Sequence, residues 1–164
     1  MRKIASFRVD HRYLEAGIYM SKKQVFGLTK ITTFDIRITA PYKEPVLSTG
    51  IVHAIEHIGA TYLRIISSIA KSVIYFGPMG CRTGFYLVIS GNYSSKDIVP
   101  VILALFEHIR DFNGPIPGAT KKECGNYTDM DLLGAKAIAS HYIDNTLKGI
   151  DASHMHYPKK QEDE

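Results

Sequence analysis

Residues 49–70 read TGIVHAIEHIGATYLRIISSIA, and the fold turns on this stretch. Ile51, Ile55, Ile58, Tyr62, Ile65, Ile66 and Ile69 recur at helical spacing. At about 100° per residue they make one apolar stripe roughly 100° wide, which predicts an amphipathic helix over 49–70 with that stripe against the core. His53, Glu56, His57, Ala60 and Arg64 fall on the opposite side.

Before this helix, residues 28–39 alternate. Phe34, Ile36 and Ile38 share one face, and Asp35, Arg37 and Thr39 the other, the period-two pattern of a half-buried strand. Pro41 ends it and Pro45 marks a loop. After the helix, Gly77, Pro78 and Gly80 predict a turn, followed by a second strand over 81–90 rich in aromatic and β-branched residues. Residues 94–112 read as a helix with Ser or Asp capping candidates and Pro100 early enough to be tolerated. Gly114 to Gly118 is a Pro/Gly linker, and a third helix is expected over 130–145, ended by Gly149. Strands interspersed with a few long helices predict an α+β fold: a two-layer sandwich, mainly antiparallel sheet with helices on one face. Residues 1–150 are expected to form a single metalloenzyme domain and 151–164 a polar, frayed tail.

The 164 residues suit one domain with one hydrophobic core. At 45% hydrophobic and 22% charged, the balance is that of a globular chain and excludes extensive disorder. The net charge is +4, but lysines occur as isolated pairs (Lys22-Lys23, Lys121-Lys122, Lys159-Lys160), so no nucleic-acid partner is expected. The longest apolar run, 98–106, is far short of the roughly 20 residues that cross a bilayer, so no membrane association is expected. The N-terminus lacks the apolar run of a signal peptide. Cys81 and Cys124 are the only cysteines, a count that fits free thiols in a reducing compartment, so a cytoplasmic location is expected.

The segment His53-Ala54-Ile55-Glu56-His57 carries the strongest chemical signal. Residues four apart on a helix sit one turn above each other, so both imidazoles can reach one metal with Glu56 beside them. The order H-x-x-E-H is the inverse of the common zinc-protease motif. Spacing alone leaves a pair of solvent-exposed histidines open. A catalytic metal needs a third protein ligand, and Cys124, in a loop after the linker and followed by Gly125, is the candidate; alone it reads equally as a small buried hydrophobe. Two imidazoles and a thiolate suit zinc or ferrous iron.

Ser6-Phe7-Arg8-Val9-Asp10-His11, Phe34-Asp35-Ile36-Arg37, the HAIEH segment, residues 77–86 (GPMGCRTGFY), Glu123-Cys124-Gly125-Asn126-Tyr127 and Gly134-Ala135-Lys136 together resemble the S-ribosylhomocysteine lyase (LuxS) family, in order along nearly the whole chain. The resemblance implies cleavage of S-ribosylhomocysteine to homocysteine and 4,5-dihydroxy-2,3-pentanedione, the precursor of a bacterial quorum-sensing autoinducer, within the methyl cycle. It implies a homodimer with two sites at the interface and one divalent metal per subunit, Fe(2+) or Zn(2+), on His53, His57 and Cys124. Glu56 and Cys81 correspond to the acid–base residues. Ser6, His11 and Arg37 correspond to substrate-binding positions, the first two reaching across the dimer. The chain departs from the family at Ala54, often Ser or Thr and not a ligand, at Pro41 to Glu44, and at Tyr75, where many members carry an acidic residue that holds the homocysteine end.

The chemistry asks for a carbonyl to move along the ribose until the thioether lies β to it, and then for elimination. Each step removes a proton beside a carbonyl, so Cys81 is expected as a thiolate stabilised by a cation, Arg37 or Arg82. Arg37 also reads as a surface ion pair with Asp35. Two rival readings stand: an H-x-x-E-H metallopeptidase, with Glu107 or Glu123 as third ligand, and a non-enzymatic zinc-binding module. The metal face lies away from the core stripe and needs a cover, which a second subunit would supply.

Overall fold

Alternation around Phe34 produces the central strand. In the computed structural model, which describes residues 5–158 and side chains from Phe7 onward, strand β2 spans Thr29–Arg37. It forms a hairpin with β1 (Gly17–Phe26) and pairs on its other side with β4 (Gly84–Ser90), which carries β3 (Val73–Pro78) at the far edge. The order is β1-β2-β4-β3 and every pairing is antiparallel. Register places Phe34 opposite Leu87 and Ile36 opposite Phe85, so these four share one face.

That face carries the core. Helices α1 (Thr49–Ile65), α2 (Ser95–Asp111) and α3 (Leu132–Asn145) close over it, with Ile55, Ile58, Ile102, Leu105, Phe106 and Tyr142 buried against the sheet residues. The α+β sandwich is therefore as expected. Both long helices begin where their caps say. The Ser48 side chain accepts from the Ile51 N–H, and Ser94 with Asp97 closes a reciprocal capping box at the start of α2.

Strand β1 was not expected from the sequence, and four expectations need correction. Strand β1 has no clean alternation because a bulge shifts the register between Met20 and Lys22. Strand β3 takes in Gly77 and Pro78, and the turn runs through Met79 to Arg82, with Arg82 at φ 57. Proline is tolerated there because β3 is an edge strand. Helix α1 stops at Ile65 rather than 70, where the Ser67 hydroxyl caps the Leu63 carbonyl at 2.7 Å and Ser67 N–H turns back to Tyr62. The buried face of α1 is rotated from the expected stripe. Ile65 and Ile66 are 74% and 58% exposed, while Val52, Gly59 and Leu63 are buried. Gly59 explains this: a Cβ there would lie 2.6 Å from the Phe76 ring, so its absence lets β3 approach that side of the helix. Lastly, the second face of β2 is not solvated: Asp35, Arg37 and Thr39 are all buried.

Part of the cover on that second face comes from the C-terminal segment. Residues 151–158, read from the sequence as frayed, contain a 3-10 turn at Ala152–His154, and Tyr157 stacks on Tyr19 with centroids 4.9 Å apart. The remainder of that expectation, 159–164, lies outside the described residues. Among the described residues no helix is long and apolar enough to cross a membrane.

Candidate metal centre and acid–base cluster

Helix α1 presents His53 and His57 one turn apart, their ring centroids 4.9 Å from each other. Each ring is fixed through its Nδ1. His53 Nδ1 donates to the Asp129 carboxylate at 2.7 Å, and His57 Nδ1 donates to the Pro117 carbonyl at 2.8 Å. A backbone carbonyl only accepts, so His57 Nδ1 is the donor and Nε2 is the ring atom left to meet an ion; the carboxylate orients His53 in the same way. This is the arrangement by which metal-binding histidines are oriented.

The third donor arrives from the linker side. Turns through residues 116–124 are tied by Ala119 to Ile116, Thr120 to Gly118 and Cys124 to Thr120, all backbone bonds. Gly118 has φ +71, and a Cβ on it would lie 3.1 Å from His57 Nδ1, so glycine meets both the backbone conformation and the close approach. Gly50 plays the matching part at the start of α1: a Cβ there would strike the Asp129 carbonyl, and Asp131 N–H bonds the Gly50 carbonyl at 3.0 Å. These approaches bring Cys124 Sγ to 3.4 Å from His53 Nε2. One donor atom each of His53, His57 and Cys124 lies within 4.8 Å of the others. Zinc bonded to one imidazole and one thiolate in tetrahedral geometry separates the two donors by about 3.6 Å. The donor set fits a zinc- or iron-sized ion, and three protein donors leave a position for another ligand. Glu107 and Glu123 are not in this group; Glu123 accepts from Thr120 instead.

Glu56, between the two histidines, lines a cavity of about 350 Å³ with His57, Arg64, Tyr75, Phe76 and Pro117. Tyr75 thus borders the same cavity as Glu56.

Cys81 belongs to a second cluster, where β2 meets the β3–β4 turn. The turn is fixed by Ile38 and Thr39 N–H on the Thr83 carbonyl and by Leu47 N–H on the Arg82 carbonyl, which ties it to the segment leading into α1. Arg37 Nη1 donates to the Thr83 hydroxyl and lies 3.7 Å from Cys81 Sγ, and Thr83 Oγ1 is 3.1 Å from the same sulfur. The hydroxyl can therefore accept from Arg37 while donating to a thiolate. Burial works against ionisation of Cys81, but the Thr83 hydroxyl and N–H and the Arg37 guanidinium outweigh it and hold the thiol below its ordinary value. Arg37 also forms a buried pair with Asp35 at 2.6 Å, so the two sequence readings of Arg37 hold together, with the pair inside rather than on the surface. His11 Nδ1 donates to the Val9 carbonyl at 3.0 Å, and the ring acts electrostatically on Asp35. The Ser6 side chain lies outside the described ones. Among the described residues no hydrogen bond joins the two clusters.

Sequence reading missed the parts played by Asp129, Pro117 and Thr83, and it placed the Asp35 pair on the surface. None had a spacing signal; Asp129 lies in an irregular loop, and its only sequence cue is a carboxylate downstream of the ligand cysteine.

A family profile described as S-ribosylhomocysteinase (LuxS) matches residues 4–153. The chain belongs to the S-ribosylhomocysteine lyase family. An S-ribosylhomocysteine lyase of Clostridium beijerinckii is 49% identical over 96% of this chain and 99% of its own length. One of Finegoldia magna is 51% identical over 97% and 100%, and one of Borreliella afzelii 51% over 96% and 100%. Family membership makes the chain a carbon–sulfur lyase.

Proposed function

We propose that the protein cleaves S-ribosylhomocysteine to homocysteine and 4,5-dihydroxy-2,3-pentanedione. The observation that carries this is the union of family-wide similarity with an open His53-His57-Cys124 donor set beside Glu56. Those three residues would hold one divalent ion, Fe(2+) or Zn(2+). When bound, such an ion polarises a substrate oxygen as a Lewis acid and so acidifies the adjoining C–H.

The chain's own groups do the remaining work. Glu56 sits in the cavity beside His57 and moves protons between carbon and oxygen as the carbonyl migrates. Cys81, whose thiolate Thr83 and Arg37 favour, is the second acid–base group and serves proton removal before the thioether leaves. Arg37, with Ser6 and His11 of the N-terminal segment, binds substrate. Asp129 and Pro117 hold the imidazoles in their metal-binding tautomers.

The working unit in this reading is a homodimer in the cytoplasm. Support for the dimer comes from apolar side chains left exposed near the site: Ile65 and Ile66 at the end of α1, and Ile74 and Tyr75 on edge strand β3. The diketone is an autoinducer precursor, and homocysteine returns to the methyl cycle. Incubation with S-ribosylhomocysteine beside a peptide substrate tests the reading: thiol release without peptide cleavage supports it, and peptide cleavage alone would replace it with a metallopeptidase.

A further inference from the structure

The ion pair between Asp35 and Arg37 is buried yet incomplete. Arginine and a carboxylate normally meet through two parallel bonds. Here one bond forms, Arg37 Nη2 to Asp35 Oδ2 at 2.6 Å, while Arg37 Nε and Asp35 Oδ1 are both buried without a hydrogen-bond partner among the described residues. Two buried polar atoms without partners on bonded groups are costly, and a bidentate pairing would use both acceptor oxygens of the carboxylate. Contacts from outside the pair therefore hold it splayed. On the arginine side these are Thr83 and Cys81, both on Nη1. On the carboxylate side it is Tyr157, whose hydroxyl donates to Asp35 Oδ2 at 3.0 Å.

We propose that Tyr157 is a positioning residue of the Cys81 site: from the C-terminal segment its hydroxyl anchors Asp35, and the anchored Asp35 keeps the Arg37 guanidinium turned towards Cys81 and Thr83. The tyrosine is itself firmly seated. Its ring stacks on Tyr19 of β1 at an interplanar angle of 6°, and Ser21, at the β1 bulge, bonds its hydroxyl. Burial, reinforced by the Asp35 charge, pushes the Tyr157 hydroxyl far above its ordinary value, so it remains a donor at any working pH. The irregular β1 and the C-terminal segment, neither of which carries a reacting group, thus meet in one task.

The inference rests on the assignment of Cys81 as an acid–base group, and its test is separable from that assignment. Charged and titratable groups around the pair are Tyr19 from β1, Tyr86 from β4, Tyr142 from α3, Cys81 from the β3–β4 turn, Tyr157 and His11. The full-length, metal-loaded protein and its Tyr157→Phe variant are alkylated with iodoacetamide across pH, with Cys81 and Cys124 peptides resolved by mass. Phenylalanine keeps the stacked ring and removes only the hydroxyl. The expected result is an upward shift of the Cys81 midpoint, with the thiolate fraction near neutral pH falling about three- to tenfold, where tenfold corresponds to one pKa unit. An unmoved midpoint in folded Tyr157→Phe overturns the proposal. Asp35→Asn gives an opposed test. If Asp35 acted only through its charge, removing it would favour the thiolate and lower the midpoint; positioning requires it to rise, and a fall overturns the proposal. A midpoint that shifts in Tyr157→Phe while the folded, metal-loaded wild type shows no lyase turnover sustains the positioning role and removes the Cys81 assignment. An unmoved midpoint in an active enzyme does the reverse.

Discussion

The Asp129 carboxylate grips His53 Nδ1 at 2.7 Å while Nε2 of the same ring faces Cys124 Sγ at 3.4 Å. One side of the imidazole is thus fixed by an anion and the other is aimed at the sulfur. Asp129→Ala is expected to weaken metal affinity about 10- to 100-fold, by analogy with other outer carboxylates on metal-binding histidines. Competition against a chelator of known affinity measures this; unchanged affinity would show that the contact is incidental.

Removal of the Cys124 sulfur should act more severely than removal of its neighbours. Cys124→Ala is expected to purify without stoichiometric metal. Glu56→Gln should keep both metal and fold and lose about 10²- to 10⁴-fold in turnover, the usual share of a positioned proton-transfer group. Metal content by elemental analysis, read beside turnover, separates the two; full metal in Cys124→Ala would remove it from the ligand set.

Helix α1 was legible because its apolar spacing is strong, and α2 because Ser94 and Asp97 announce its start. The exact core face of α1 was not, since it depends on Phe76 of β3 filling the space left by Gly59. Strand β1 escaped detection because the bulge at its centre breaks alternation, and β3 because Gly77 and Pro78 imitate a turn. At the site, the two histidines and Cys124 were visible from spacing and family resemblance. Asp129 and Thr83 were not, because a loop carboxylate or hydroxyl gains meaning only when the chain folds onto α1 or β2. The buried state of Arg37 was hidden for the same reason: Tyr157 lies 120 residues further on.

The environment of Cys81 has a pH consequence. Its thiol is held below the ordinary value, so at a given pH below that value more of it is thiolate than in a free cysteine. Alkylation of Cys81 should therefore rise with pH and level off earlier than for a model thiol. Arg37→Ala removes the cation and should move the midpoint upward. A wild-type midpoint at or above that of free cysteine would contradict the role given to Arg37 and Thr83.

Sedimentation tests the assembly. A homodimer is expected, and substitution of the exposed Ile65 and Ile66 by serine should loosen it if that patch is part of the interface. A monomer with full lyase activity would contradict a site that needs a second subunit.

The most direct measurement is thiol release from S-ribosylhomocysteine by metal-loaded protein, with Cys81→Ala as control. The account predicts homocysteine and the pentanedione in equal amounts from the wild type, and a Cys81→Ala protein that retains its metal but releases no thiol. Absence of thiol release from folded, metal-loaded wild type, or undiminished release from Cys81→Ala, would contradict it.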